Sequence, residues 1–466
     1  MKKIALSKSL PFIILMGIAI LALFIPTFKN FDDGKYNAAD TAWIIVATAL
    51  VFLMTPGLSF FYGGMVNRKN VISTMIKSFV ATGIVSVLWV TVGYSLSFGP
   101  SIGGFIGNPL SHLFFKGVAS GAPWSLAPTI PLTLFALFQL MFAIITPSLV
   151  VGAVAERIRF SSYILFIVMF SLFVYAPIAH WTWNPEGFLF KWGVLDFAGG
   201  TVVHISAGCA ALAGAIVLKR RKVHLEHKEI PPANIPYVLI GTGLLWFGWF
   251  GFNAGSAGAA NALSVSAFAT TNTAAAAAGL AWMFFDVLKG KKPSVLGFCI
   301  GAVVGLVAIT PAAGFVAIPQ SIFIGAVAAL ISNVAVYYRS KSILDDTLDV
   351  FPCHGIGGMV GMLMTGIFAT KNINSGGNDG LFYGNPALFF TQLKALVIVV
   401  TYSFSVSFAI FKFINWVIPM RVSTADEEAG LDASQHNEKY LQGTLLVKSN
   451  GTLNEQERGI AESINF

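Results

Sequence analysis

Two histidines lie inside apolar sequence, each with an aspartate a few residues before it. His204 closes Asp196-Phe197-Ala198-Gly199-Gly200-Thr201-Val202-Val203-His204, and His354 stands in Asp349-Val350-Phe351-Pro352-Cys353-His354-Gly355. An ionisable side chain in hydrocarbon costs roughly 3 kcal/mol or more, so it is rarely kept without a task. A lone histidine of this kind is as often a satisfied structural group as a functional one. Two, in corresponding places of two halves, point to one shared site. Burial disfavours the charged imidazolium. Two neutral rings can share one hydrogen bond and leave a donor and an acceptor along a passage, which suits a small polar molecule or a proton relay. Metal binding by the pair lacks an evident third or fourth ligand, and no HExxH-type run accompanies it.

Asp196 precedes His204 by eight residues and should sit near the outer end of its span, as a helix cap or a bias toward cations. Asp349 is read as a second cap, with Pro352 and Gly355 marking irregular or closely packed backbone around His354. Phe138 and Phe142 are four apart and share one helix face, as do Phe252 and Ser256. Trp183 lies beyond the outer end of its run. For any one aromatic, packing or an interfacial belt is the default. Only Trp, Phe and a hydroxyl converging near an outer mouth suggest a cation–π cage.

These side chains need a frame. Of 466 residues, 56% are hydrophobic and 11% charged, against about 25% charged in a soluble domain. The 46 glycines suit close helix contact in a bilayer. The net charge of +8 is spread over short connectors and is no nucleic-acid signature. Eleven runs have the length of a spanning helix. They lie near 41–63, 73–98, 128–154, 161–181, 195–218, 235–257, 262–288, 294–314, 319–338, 353–370 and 388–417. Arg and Lys concentrate in alternate connectors, which places those connectors and the C-terminus in the cytoplasm and the mature N-terminus outside.

The reading is an all-α polytopic membrane protein of eleven transmembrane helices. They form two inverted five-helix repeats plus one, with the histidines in the fifth and tenth spans and a site near the midplane. Residues 1–28 look like a signal segment, either cleaved, the favoured reading, or retained as an extra helix; residues 40–418 form the membrane domain, and 419–466 a cytoplasmic tail. The tail is read as a flexible end, with packing on the loops as the sharper alternative. Cys209, Cys299 and Cys353 are read as packing residues. The H-x-x-H pair His224 and His227 is read as a solvated loop.

The run from Asp196 to His204, followed by Ser206-Ala207-Gly208 and Lys219-Arg220-Arg221, resembles the signature of the ammonium transporter family (Amt/Mep/Rh). So do Gly248-Trp-Phe-Gly-Phe-Asn-Ala-Gly-Ser256, Gly152-Ala-Val-Ala-Glu-Arg-Ile-Arg159 and Phe60-Phe-Tyr-Gly-Gly64. The similarity runs from about residue 40 to 435 and is most like bacterial Amt-type members. It implies that Phe138, Trp183 and Ser256 recruit ammonium at an outer site. It further implies that Phe142 and Phe252 stack to close the pore, that His204 and His354 form a twin pair in the conduction path, and that Asp196 lies beneath the vestibule. A homotrimer in the cell membrane with one pore per subunit, and docking of a PII-type signal protein, are also implied. The Pro352-Cys353 pair departs from the small or aliphatic residues many members carry. No cofactor or metal is expected, and no enzymatic activity. The rival readings are a sensor acting through the tail, a gas or cation channel of the same architecture, and a membrane metalloenzyme.

Physics supplies a mechanism. A bare monovalent cation in a dry lumen costs of the order of 20 kcal/mol in the Born limit, and an aromatic cage returns about 2 kcal/mol. Potassium has no escape from that cost. Ammonium does, because it can shed a proton and cross as ammonia, which needs only hydrogen-bond partners.

Overall fold

The computed structural model describes residues 2–25, 36–228 and 230–440, with side chains from residue 9 onward. After an N-terminal helix α1 (Lys2–Leu23), the helical stretches are α2 (Ala38–Met65), α3 (Arg68–Phe98), α4 (Leu132–Val154), α5 (Phe160–Lys191), α6 (Gly200–Leu218) and α7 (Ile235–Gly255). They continue as α8 (Ala262–Leu288), α9 (Val295–Ile309), α10 (Ile318–Ser340), α11 (Phe351–Phe368) and α12 (Pro386–Val417). Every apolar run read from the sequence is thus a helix. Among the described residues, nine stretches are long and apolar enough to cross a membrane, and the chain is a multi-pass membrane protein. The two runs that fall short do so for visible reasons. The middle of α8 carries Thr270, Thr271, Asn272 and Thr273, and α9 has 15 residues and stops just before Pro311, which has no N–H to extend a helical ladder.

Glycines let the first helices of the two halves approach. A Cβ at Gly241 of α7 would lie 2.3 Å from the Phe61 nitrogen of α2, and one at Gly64 would lie 2.6 Å from the Asn234 oxygen. The same holds at the centre, where a Cβ at Gly208 of α6 would lie 2.3 Å from the Gly355 Cα of α11. That crossing brings the two histidine-bearing helices together. Both begin with a π-helical turn, Gly200–Ile205 and Phe351–Ile356, a geometry that concentrates at functional sites.

The second aspartate corrects the sequence reading. Asp349 does not cap α11. It adopts a positive φ of 58° and is held by Arg339, whose Nε and Nη2 donate to Oδ1 at 2.7 and 2.6 Å. The cap is Asp346, which accepts from the Val350 and Phe351 amides at 3.0 and 2.7 Å. Asp346 stands eight residues before His354, as Asp196 stands eight before His204. Asp196 lies beside Trp183, whereas Asp346 lies among Arg339 and Arg157 on the face that carries the tail. The two helices therefore start from opposite faces, as an inverted pair must.

The tail corrects a second expectation. Residues 419–440 are docked rather than loose. The Arg159 amide donates to the Met420 carbonyl at 2.7 Å and the Val422 amide to the Arg157 carbonyl at 3.0 Å. Asp432 caps α3 by accepting from the Ile72 and Ser73 amides at 3.1 and 2.7 Å. The Tyr440 hydroxyl accepts from Asn234 Nδ2 at 2.7 Å. The remainder of the tail, 441–466, with Leu445, Leu446 and Val447, lies outside the described residues.

Beneath the tail, Arg221 donates to Glu156 at 2.6 Å and to both oxygens of Asp345 at 2.8 and 2.9 Å. Burial alone pushes the Asp345 carboxyl up, but the hydrogen bonds of Arg221 and the charge of Arg157 outweigh it and hold the carboxyl below the usual carboxylate range. Burial raises Asp349 to about 7 in spite of Arg339. Removing one member of a buried ion pair costs about 3–5 kcal/mol, because the other is left uncompensated. Arg221→Ala should therefore lower the unfolding temperature of the detergent-solubilised protein, and an unchanged temperature would refute the assignment. The pH sign follows from the depressed Asp345 value. Its contribution is complete above the unfolded value of about 3.9 and is lost as pH falls below it.

Candidate functional site

The histidines converge. Nδ1 of His354 lies 3.4 Å from Nδ1 of His204, with ring centroids 5.5 Å apart and planes 25° from parallel. One nitrogen must donate and the other accept, so the accepting ring is neutral. Both side chains are buried, and His204 Nε2 has no hydrogen-bond partner among the described residues. The space beside them is about 10 Å³, walled by Met54, Leu58, Ile145, Leu245, Val303 and neighbouring apolar residues. That is close to the volume one water needs. Trp249 lies over the His204 ring with centroids 5.3 Å apart, and its Nε1 donates to the Thr310 hydroxyl at 2.9 Å. The indole is thereby fixed as a wall that holds the imidazole in place.

Phe142 and Phe252 lie next along the passage. Their centroids are 4.3 Å apart, and Phe252 is 6.0 Å from His204. Both rings are essentially inaccessible, with Phe252 against the space beside the histidines and Phe142 against a wider cavity of about 200 Å³. The cavity is lined by Phe138, Phe142, Trp183, Asp196 and Ser256. Phe142 packs edge-on against Phe138 at 5.0 Å and Trp183 at 5.7 Å. Trp183 Nε1 donates to the Asp196 carbonyl at 3.1 Å, which fixes the indole, and Ser256 donates to the Phe252 carbonyl at 2.8 Å, which leaves its oxygen lone pairs free.

The Asp196 carboxylate is fully occupied. Oδ1 accepts from the Gly199 and Gly200 amides at 2.8 and 2.6 Å. Oδ2 accepts from the Thr201 amide at 2.8 Å and from the Thr201 hydroxyl. Gly199 makes this wrap possible with a φ of 114°, where a Cβ would strike Val203 at 2.9 Å. The group caps the start of α6.

All eight residues singled out from the sequence, Phe138, Phe142, Trp183, Asp196, His204, Phe252, Ser256 and His354, thus fall on one line from the cavity to the twin rings. The sequence reading missed Trp249, three residues before Phe252 in a quoted motif, and Asp346, whose eight-residue spacing to His354 repeats that of Asp196 to His204. His224 is bound by Arg220 Nε at 2.9 Å in the tail-side loop, away from the site. Among the described residues no group of three or more His, Cys, Asp or Glu could hold a metal ion, and all three cysteines are buried and free.

Comparison with known proteins places the chain in a family. An ammonium transporter of Aquifex aeolicus is 46% identical over 424 residues, covering 91% of this chain and 98% of the relative. The structure of Mep2 from Saccharomyces cerevisiae superposes with a TM-score of 0.79 at 35% identity, over 84% of this chain and 89% of that one. A structure described as a sensor Amt protein superposes with a TM-score of 0.77 at 29% identity, over 85% and 98%. The family model described as Ammonium Transporter Family matches residues 42–440, and the chain belongs to that family.

Proposed function

We propose that this ammonium transporter recruits ammonium in the aromatic cavity, where it gives up its proton to water, and passes ammonia between Phe142 and Phe252 to the twin histidines, the proton crossing separately along the paired imidazoles. The observation that carries the reading is the contrast in space. A cage of about 200 Å³ with ring faces and a free hydroxyl oxygen opens through a ring pair onto a lumen of about 10 Å³. A hydrated cation does not fit the second space, and a bare one has no charged partner there. Ammonia fits and finds ring nitrogens. Phe138, Trp183 and Ser256 hold the cation, Phe142 and Phe252 gate the path, His204 and His354 conduct, and Asp196 fixes the start of α6.

The cavity side is the outer face, and the tail lies in the cytoplasm, in keeping with the arginines and lysines of the tail-side loops. The whole membrane domain forms eleven spans in the cell membrane after cleavage of the signal-like segment, and it assembles as a homotrimer. The tail-side surface would receive a PII-type signal protein. A second reading, in which the protein also senses ammonium, is favoured by the docked tail, which links the loops at the start of α3 and before α5.

Uptake of labelled methylammonium into proteoliposomes tests the main reading. Saturable uptake that unlabelled ammonium competes away, absent from protein-free liposomes, is expected. Uptake equal to that of protein-free liposomes would refute it.

A further inference from the structure

The loop after α6 carries a histidine that the pore does not use. This loop is the ledge on which the tail rests. Arg421 Nη1 donates to the Leu218 and Arg220 carbonyls at 3.0 and 2.9 Å. The Lys222 amide donates to Glu427 Oε1 at 3.1 Å, and Lys222 Nζ to Glu428 at 2.6 Å. The ledge is not a relaxed turn, since Lys219 holds a φ of 62°. One side-chain pair closes it. Arg220 Nε donates to His224 Nδ1 at 2.9 Å, and Nη2 donates to the His224 carbonyl at 3.3 Å.

That pair fixes where the ring carries its hydrogen. A guanidinium only donates, so Nδ1 accepts and the imidazole is neutral, with its hydrogen on Nε2. Nε2 is buried and has no partner among the described residues. A second proton, on Nδ1, would set an N–H against the Arg220 N–H, and the imidazolium would find no acceptor for either hydrogen. The charges facing the ring are Arg220 and Arg221 on its own loop, Arg339 at the end of α10 and Asp345 before α11. Three of the four are cations, and both Asp345 oxygens are already taken by Arg221. Burial lowers the pKa of the ring from its usual value, Asp345 opposes that, and the three arginines add to it. We propose that His224 and Arg220 form a proton-operated latch, closed near neutral pH and opened by acid, whose opening loosens the tail from the ledge. The latch is complete above the free-imidazole value of about 6.5 and is lost as pH falls below it. It is independent of the route the nitrogen takes.

Hydrogen–deuterium exchange of residues 421–436 in the full-length, detergent-solubilised protein tests it, with rates corrected for the pH dependence of chemical exchange. In wild type, opening of this segment should rise at least about threefold between about pH 7.5 and about pH 5. Asp432 and His436 lie on the tail itself and would give an acid response of their own, so two variants assign the effect. His224→Gln keeps a neutral acceptor for Arg220 and cannot titrate. It should lose most of the acid response and stay near the wild-type level seen at the higher pH. His224→Ala removes the acceptor and should open at least about threefold more than wild type already at the higher pH. No acid response in wild type, or an undiminished one in His224→Gln, would overturn the proposal, the second outcome assigning the response to Asp432 or His436. A His224→Ala protein as protected as wild type at the higher pH would overturn it as well.

Discussion

Replacing both histidines with leucine, His204→Leu with His354→Leu, should cut ammonium uptake at least about thirtyfold while the protein remains folded. The lumen beside the rings is about 10 Å³ and its other walls are apolar. Ammonia entering it exchanges several water hydrogen bonds for those the two imidazoles offer. Each lost partner costs about 1–3 kcal/mol, and two lost together correspond to roughly thirtyfold or more in rate. Leucine fills the volume of imidazole closely enough to avoid a large cavity. Binding at the outer cage should change little, because Phe142 and Phe252 stand between the cage and the histidines. Labelled methylammonium uptake together with equilibrium binding of ammonium checks both halves. Uptake at the wild-type rate, with potassium still rejected, would remove the histidines from the mechanism.

Asp196→Ala should prevent the protein from reaching a stable fold. The carboxylate accepts three backbone amides and one hydroxyl at a buried helix start. Alanine leaves all of them without partners. At about 1–3 kcal/mol for each of the four buried donors, the loss is comparable with the 5–15 kcal/mol that holds a typical native state together. Asp196→Asn keeps one accepting oxygen and should give a folded but less stable protein. Size-exclusion profiles and unfolding temperatures in detergent distinguish the two. A well-folded Asp196→Ala protein with normal stability would show that the carboxylate is not the structural cap described here, and would return it to a direct role with the cation.

The sequence carried the helices and the main line of the site because both depend on local pattern. Apolar runs of spanning length announce themselves, and His204 and His354 stand out against them. Phe138, Phe142, Phe252 and Ser256 could be placed because four-residue spacing fixes a shared helix face. What was illegible depends on contacts between distant segments. Asp345, Asp346 and Asp349 crowd together, and nothing local says which one caps α11. The answer turns on Arg221 reaching Asp345 and Arg339 reaching Asp349, which frees Asp346 for the amides. The docking of residues 419–440 was hidden for the same reason, since Asp432 finds its partners at Ile72 and Ser73, some 360 residues away. Trp249 is an ordinary member of a helical stripe until the lumen is seen beside it. The eight-residue interval from Asp346 to His354 was available, and it is the one missed feature that counting alone would have found.

The central claim is that the nitrogen crosses the lumen uncharged. Current measurements on the purified protein in planar-supported or suspended liposomes, under equal gradients of ammonium and of potassium, test it most directly. The account predicts a saturable current with ammonium, carried by the proton that crosses apart from the ammonia, and none with potassium at any applied gradient, because potassium has no proton to give up before the Phe142 and Phe252 rings. A potassium current comparable to that of ammonium would mean that intact cations pass the histidines, and would contradict the account.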